Sequence, residues 1–182
     1  MKEYTIERYS FEELSDQAKE KAIEKARYDL HINMPEEFIS MPLEEKLSEL
    51  IPNADLELRY DLSYSQGSGL SFTGTIIREN APDFAWPDKA IRVNIGSSTH
   101  HYCHALTMTY EFLDEDYEEV NSDSRVFRDQ ILAICDQLEK LGYRLIELET
   151  SEESARAYLT DMEEVFLSDG TISIPRGEKV NA

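Results

Sequence analysis

Three histidines and a cysteine crowd residues 100–104, and these are the side chains of the chain best suited to chemistry: His100, His101, Cys103 and His104. Imidazole and thiolate groups bind zinc, and two histidines can act as acid and base in RNA cleavage. On a strand, side chains two positions apart share a face, so these four cannot all reach one ion. We therefore predict no metal and no cofactor. His101 and His104 stay as candidate catalytic residues, and the alternative is that they are ordinary strand histidines.

A run of carboxylates is a second candidate site. Seven acidic residues lie between positions 111 and 123, thirteen residues that contain no Lys or Arg. Carboxylates held at the spacing of phosphates can occupy a groove that otherwise binds nucleic acid. The run lacks the central glycine and the terminal glutamate of an EF-hand calcium loop. The predicted partner-binding residues are Asp114, Glu115, Asp116, Glu118 and Glu119; the alternative is a solvated loop that serves only solubility.

Residues 63–74 are a third candidate, with the sequence Ser-Tyr-Ser-Gln-Gly-Ser-Gly-Leu-Ser-Phe-Thr-Gly. Two glycines two positions apart permit positive φ and expose backbone N–H groups. A phosphate-binding loop leads into a helix and carries a lysine, whereas this segment leads into a predicted strand and has none. We predict a solvated hairpin turn whose side chains contact a partner: Tyr64, Ser65, Gln66 and Ser68. The alternative is an ordinary turn, since Gly and Ser are common there for conformational reasons.

Alternating apolar residues predict the strands that must carry these groups. They run over 56–64 and 70–76 as one hairpin and over 91–95 and 104–112 as a second pair. Shorter strands are predicted at 2–9, 143–148 and 171–174. Apolar spacings of three and four predict helices over 11–30, 35–51, 127–141 and 151–166. Pro42 should divide the second helix, and Gly142 should end the third.

The order of these elements indicates the fold class. Strands grouped between groups of helices predict an α+β fold, with an antiparallel β-sheet built from hairpins and helices packed around it. A length of 182 residues fits one domain, which we place at residues 1–175, with a flexible tail at 176–182. Two cysteines cannot supply a disulfide framework.

Composition excludes several classes of function. The sequence contains no run of eighteen apolar residues, so it predicts no membrane span. The first residues have no apolar signal core. We therefore expect a cytoplasmic protein. The glycine, histidine and cysteine motifs of hydrolases, dehydrogenases and kinases are missing. The net charge is −20, from 18 basic and 38 acidic residues. That charge disfavours free nucleic acid and anionic membranes as partners and favours a basic protein.

Two segments carry a resemblance to a family of small phage and mobile-element proteins. Residues 9–19, Tyr-Ser-Phe-Glu-Glu-Leu-Ser-Asp-Gln-Ala-Lys, resemble the family's opening segment, an aromatic-x-Phe-x-Glu-Leu-Ser-x-x-Ala-Lys pattern before the first helix. Residues 64–74 resemble its second signature, Ser-Gln-Gly-Asp-Gly-x-x-Phe-x-Gly, with Ser68 in place of the usual acidic residue. In size and acidity the chain also resembles anti-CRISPR proteins that inhibit the type II-A effector nuclease.

The resemblance implies a phage-encoded acidic inhibitor that acts in the cytoplasm of a bacterial host. Its expected partner is the host's CRISPR effector nuclease, with or without guide RNA, bound through the basic nucleic-acid channel. One alternative is an effector-dependent ribonuclease that shortens guide RNA through His101 or His104. Another is a phage regulatory or structural protein with no nuclease partner. The sequence leaves the oligomeric state open.

Overall fold

A computed structural model describes residues 7–97, 103–161 and 165–173. The chain forms two compact units. Unit 1 contains Met1–Pro35 and Ile146–Ala182, and unit 2 contains Glu36–Leu145. The helices are α1 (Asp16–Ile32), α2 (Glu36–Leu50), α3 (Arg125–Glu149) and α4 (Glu152–Asp161). The strands are β1 (Asp55–Asp61), β2 (Gly69–Ile77), β3 (Arg92–Ser97) and β4 (Met108–Leu113). The fold is α+β, as the sequence predicts.

The sheet of unit 2 is an antiparallel meander in the order β1-β2-β3-β4. Leu58 pairs with Phe72, and Val93 lies between Ile76 and Phe112. Because side chains alternate across a strand, these residues share one apolar face, and Phe72, Ile76 and Val93 are fully buried. The period-two pattern of the sequence thus fixes both the strands and the face that packs into the core.

The opposite face of the sheet is polar. Its side chains include a hydrogen-bonded row across three strands, in which the Thr75 hydroxyl donates to Asn94 Oδ1 over 3.1 Å. Asn94 Nδ2 then donates to Glu111 Oε2 over 3.0 Å. Polar groups paired in this way satisfy each other on a half-solvated surface.

An aromatic cluster attaches α3 to the apolar face. Phe127, which has no exposed surface, lies at the centre of three other rings. Its ring centroid is 5.4 Å from Phe84, 4.9 Å from Trp86 and 5.2 Å from Phe112, all in tilted or edge-on geometry. Such pairs add about 0.5–1.5 kcal/mol each beyond the burial of apolar area. The indole N–H of Trp86 donates to the Ala81 carbonyl over 2.7 Å, so the buried polar atom is satisfied.

Unit 1 packs α1 against α4. Its core uses the small residues of α1 as a close-contact stripe: Ala18, Ala22 and Ala26. They meet Ala155 and Leu159 of α4, and Phe166 closes the cluster. Phe166 also forms isolated bridges with Tyr9 and Ile172. α1 begins where Ser15 Oγ accepts the backbone N–H of Ala18 over 3.3 Å, a conventional N-cap.

Several boundary predictions were wrong. β1 ends at Asp61 and not at residue 64, and Phe166, predicted within the fourth helix, lies in an isolated bridge. Pro42 lies inside a continuous α2 and does not divide it. Gly142 lies inside α3, where a Cβ would come within 2.4 Å of Leu62 Cδ1, so the strand predicted at 143–148 is the last part of that helix. His104 is not in a strand: it precedes a 3-10 turn, Ala105–Thr107, and β4 begins only at Met108.

Other predictions lie wholly or partly outside the described residues. The first strand and the final strand are described only around the bridges of Tyr9 and Ile172, and the tail 176–182 is not described. In the described part of the chain, helices of sufficient length and apolarity to cross a membrane are absent.

Candidate functional site

The two predicted contact surfaces lie at opposite ends of the sheet. The hairpin tip, residues 62–68, joins the end of β1 to the start of β2, where Asp61 pairs with Gly69. The acidic loop, residues 114–119, follows the end of β4, where Leu113 pairs with Arg92. β2 runs from Gly69 at the tip to Ile77, which lies level with the acidic loop through the pairs Ile77–Arg92 and Arg92–Leu113. β2 has nine residues, and at about 3.4 Å each it separates the two surfaces by about 30 Å.

Asp61 organises the beginning of the hairpin tip. Its Oδ1 accepts the backbone N–H of Ser63 over 2.9 Å, which is an Asx turn. Hydrogen bonds from the Ser63 side chain and backbone, and then from the Ser65 side chain, hold the pKa of Asp61 below its usual value. The carboxylate is therefore ionised at neutral pH and contributes a fixed negative charge at the tip.

Ser68 is the hydrogen-bonding centre of the tip. Its Oγ accepts the backbone N–H of Ser65 over 2.7 Å and lies 3.3 Å from both Ser63 Oγ and Ser65 Oγ. Its own N–H donates to the Ser65 carbonyl over 3.0 Å. Ser68 is only 8% exposed, so the expectation that its side chain is solvated is wrong: its hydroxyl accepts hydrogen bonds of the turn itself. Its contact with a partner stays a prediction.

Tyr64 projects from the tip with an unusual backbone. Its φ is +58°, a left-handed conformation that costs a non-glycine residue about 1–2 kcal/mol. The side chain is 64% exposed, and its ring lies 4.6 Å from the ring of Tyr143 at an interplanar angle of 32°. Burial, followed by Glu139, Tyr64 and Asp61, raises the pKa of Tyr143, while a hydrogen bond with Ser68 opposes that rise.

The structure brings Cys103 and His104, which precede β4, to the hairpin tip. His104 Nε2 lies 3.2 Å from the Gln66 carbonyl oxygen, and the Cys103 N–H donates to the Gly67 carbonyl over 3.4 Å. A Cβ at Gly69 would come within 2.8 Å of His104 Nδ1, so glycine at 69 lets the ring approach the strand. Burial raises the pKa of the Cys103 thiol and Asp61 raises it further, which disfavours a reactive thiolate.

These contacts do not assemble the catalytic site that the sequence predicts around the histidines. His104 is held against the hairpin tip, and His101, its predicted companion, lies outside the described residues. Among the described residues, groups of three or more His, Cys, Asp or Glu side chains placed to hold a metal ion are absent. The catalytic role of His101 and His104, and the prediction that no metal is needed, therefore stay predictions.

The acidic loop is held in shape by its own first residue. Asp114 Oδ1 accepts the N–H groups of Asp116 and Glu118 over 2.9 and 3.0 Å. The Asp114 N–H donates to the Glu118 carbonyl over 3.1 Å, and the Tyr117 N–H donates to the Asp114 carbonyl over the same distance. The side chains of Glu115, Asp116, Glu118 and Glu119 are exposed. The loop thus presents carboxylates from a backbone that is already ordered.

Basic residues lie close to this loop in the fold, although residues 111–123 contain no Lys or Arg. A cleft of about 450 Å³ is lined by Arg78, Asp88, Lys89, Ile91 and the first three residues of the acidic loop. The guanidinium of Arg92 lies 5.0 Å from the ring centroid of Tyr117. Part of the negative field at the start of the loop is therefore balanced locally, and Glu118 and Glu119, which do not line the cleft, extend beyond it.

Sequence reasoning missed Asp61, Cys103 and Tyr143 as members of the hairpin-tip cluster. Tyr143 was assigned to a strand, and no local pattern shows that it approaches a turn almost eighty positions earlier. Comparisons with protein-family models, with curated proteins and with solved structures gave no match. The function is therefore argued from the geometry of the hairpin tip and the acidic loop.

Proposed function

We propose that this protein is a phage-encoded acidic inhibitor that binds the basic nucleic-acid channel of a type II-A CRISPR effector nuclease in the bacterial cytoplasm. The observation that carries the proposal is the acidic loop: five carboxylates within residues 114–119, four of them exposed, on a backbone fixed by Asp114. The choice of effector comes from the sequence resemblance.

Order in the loop matters because binding costs conformational entropy. A loop that is already hydrogen-bonded loses less freedom when a partner engages it, so more of the electrostatic attraction is retained as affinity. The net charge of −20 adds a long-range field that would speed encounter with a basic channel. The same field repels free guide RNA and free DNA, so the effector itself is the expected partner.

The test is binding to a purified type II-A effector with and without guide RNA. We expect co-elution in size exclusion, inhibition of DNA cleavage, and an affinity that falls steeply between about 50 and about 200 mM salt, because exposed ion pairs are screened. A loop variant carries Asp114→Asn, Glu115→Gln, Asp116→Asn, Glu118→Gln and Glu119→Gln. It should lose affinity by about tenfold or more.

The matched control removes five charges elsewhere. Exposed helical glutamates supply it: Glu20, Glu24, Glu45, Glu147 and Glu153, each changed to Gln. Both variants have the same net charge, so a loss confined to the loop variant assigns the effect to the acidic loop. Equal losses in the two variants would leave only a general charge effect and would contradict the proposal.

The same mixtures test the ribonuclease alternative. Guide RNA recovered from the complex is run on a denaturing gel. Intact guide RNA that co-elutes with the complex supports occlusion of the channel. Guide RNA that is shortened only when His101 and His104 are present would support cleavage as the mechanism of inhibition. If the protein neither binds the effector nor cleaves guide RNA, the phage regulatory or structural role remains.

A further inference from the structure

The hairpin tip places the exposed ring of Tyr64 against Tyr143 of α3. The ring centroids of Tyr64 and Tyr143 lie 4.6 Å apart with the ring planes tilted by 32°, and Tyr64 is 64% exposed, so it is accessible to a partner. Tyr143 is half-buried and lies on α3. The inner ring is thus anchored, and the outer ring is supported by it.

The composition around this pair resembles a protein-binding surface more than a ligand pocket. Tyrosine supplies a large, rigid contact area with few rotatable bonds, and serine, glycine and amide side chains supply adaptable hydrogen bonds. The tip combines Tyr64 with three serines, Gln66 and Gly67. Its backbone is fixed by the Ser65–Ser68 hydrogen bonds, and Tyr64 adopts a left-handed conformation within it.

Charge at the tip selects the partner's chemistry. Asp61 accepts the Ser63 N–H at the base of the tip, and Glu139 lies one helical turn before Tyr143 on α3. Both carboxylates add negative potential at Tyr143. Arg59, the basic residue nearest along β1, is engaged with Glu57 at 3.7 Å. Phosphate groups would be repelled here, whereas a cation is attracted both by the carboxylates and by the electron-rich ring face.

We propose that the hairpin tip binds an arginine side chain of a protein partner, with the guanidinium stacked on the exposed ring of Tyr64 and paired with the Asp61 carboxylate. A planar guanidinium suits this arrangement better than an ammonium group, because it stacks on a ring while donating in its own plane. The inference rests on the proposed function for the identity of the partner, the effector nuclease, and adds a second contact about 30 Å from the acidic loop.

Two variants remove the Tyr64 ring or the Asp61 charge while keeping the turn folded. Tyr64→Gly removes the ring at a residue with φ +58°, where glycine is conformationally favoured, so the turn should be kept or stabilised. Asp61→Asn keeps an oxygen that can accept the Ser63 N–H but removes the charge. Against the effector, Tyr64→Gly should weaken binding by about tenfold or more, Asp61→Asn by about threefold or more, and Tyr64→Phe by less than about threefold.

A second experiment needs no effector. The 15N-labelled protein is titrated with an Arg-Gly-Arg-Gly-Arg peptide and with its lysine counterpart. We expect larger chemical-shift changes at residues 63–68 with the arginine peptide, and their loss in Tyr64→Gly. Equal shifts with both peptides, shifts that survive in Tyr64→Gly, or no shifts at all would overturn the arginine site.

The two experiments also distinguish two kinds of failure. If the effector does not bind the wild-type protein, the proposed function is wrong, and the peptide titration still decides whether the tip recognises arginine. If the effector binds the wild type and Tyr64→Gly equally well, the tip is not a contact while the proposed function stands.

Discussion

Gly142 of α3 lies directly against Leu62 of the hairpin tip: a Cβ at position 142 would come within 2.4 Å of Leu62 Cδ1. Leu43 of α2 approaches the same point, at 3.7 Å through its Cδ1. Leu62 is 7% exposed and Leu43 is fully buried, so neither side chain can move freely into solvent. The glycine is there for close packing between helix and hairpin, and the helix continues past it.

We expect Gly142→Ala to lower the free energy of unfolding by about 1 kcal/mol. Overpacking a core costs about 1–3 kcal/mol, and the better helix propensity of alanine returns about 1 kcal/mol. In a Leu62→Ala background, where space is available, the same change should be neutral or stabilising. Urea unfolding of the four proteins measures this coupling. An identical cost in both backgrounds would show that the contact with Leu62 is not the reason for glycine.

Gly142 also illustrates what the sequence can and cannot predict. Alternation over 56–64 and 70–76 indicates a buried face and therefore predicts β1 and β2 well. A glycine after an apolar helical stripe has two meanings, a helix end or a close approach, and only the tertiary neighbour Leu62 distinguishes them. Helix α3 was predicted too short for that reason.

The sequence likewise predicts only part of the candidate site. Its local groups, Ser65, Gln66 and the acidic run, are visible as types and spacing. The approach of His104 to Gln66 joins residues 38 positions apart, and no pattern within either segment predicts it. Ser68 was predicted to be solvated because turns usually are; its burial depends on the serines and Tyr143 that surround it.

Ser68→Ala should destabilise the protein by about 1–2 kcal/mol. The substitution removes the acceptor of the Ser65 N–H, and a backbone donor that loses its partner in a partly buried turn pays a desolvation penalty. Gln66→Ala is the matched control, because its side chain is exposed and surface changes of this kind stay within about ±0.5 kcal/mol. Thermal unfolding of both variants is the measurement. Equal melting temperatures for Ser68→Ala and wild type would refute the role assigned to the Ser68 hydroxyl.

The hydrogen bonds accepted by the Asp114 side chain, and not its negative charge, should keep the acidic loop ordered. Asp114→Ala removes the acceptor for the N–H groups of Asp116 and Glu118, so these amides should exchange hydrogen faster. Asp114→Asn keeps an acceptor oxygen and should leave exchange near the wild-type rate. Amide exchange measured by NMR compares the two variants. Equal protection in wild type and Asp114→Ala would contradict the hydrogen-bonded loop.

The carboxyl group of Asp123 should titrate far below its ordinary range. Hydrogen bonds from the Arg125 side chain, and then from its backbone, lower the pKa of Asp123 to about 2. A folded-state pKa below the unfolded value means that the interaction is present above the unfolded pKa and is lost as pH falls toward about 2. Arg125→Gln should raise the pKa of Asp123, measured by NMR of the side-chain carboxyl, and Arg128→Gln should not. Because the pair is exposed, global stability should change little.

Variants at the two ends of the sheet should weaken effector binding independently. The acidic loop and the hairpin tip are about 30 Å apart along β2, beyond the range at which substitutions usually couple, and changes at such distances add to within about 0.3–0.5 kcal/mol. A protein carrying both Tyr64→Gly and the five-residue loop neutralisation should therefore lose the sum of the two binding free energies. The measurement is calorimetric titration of the effector with wild type, each variant and the combination. A combined loss no larger than that of the loop variant alone would mean that the tip contributes nothing once the loop is disengaged, and would favour one continuous contact centred on the acidic loop.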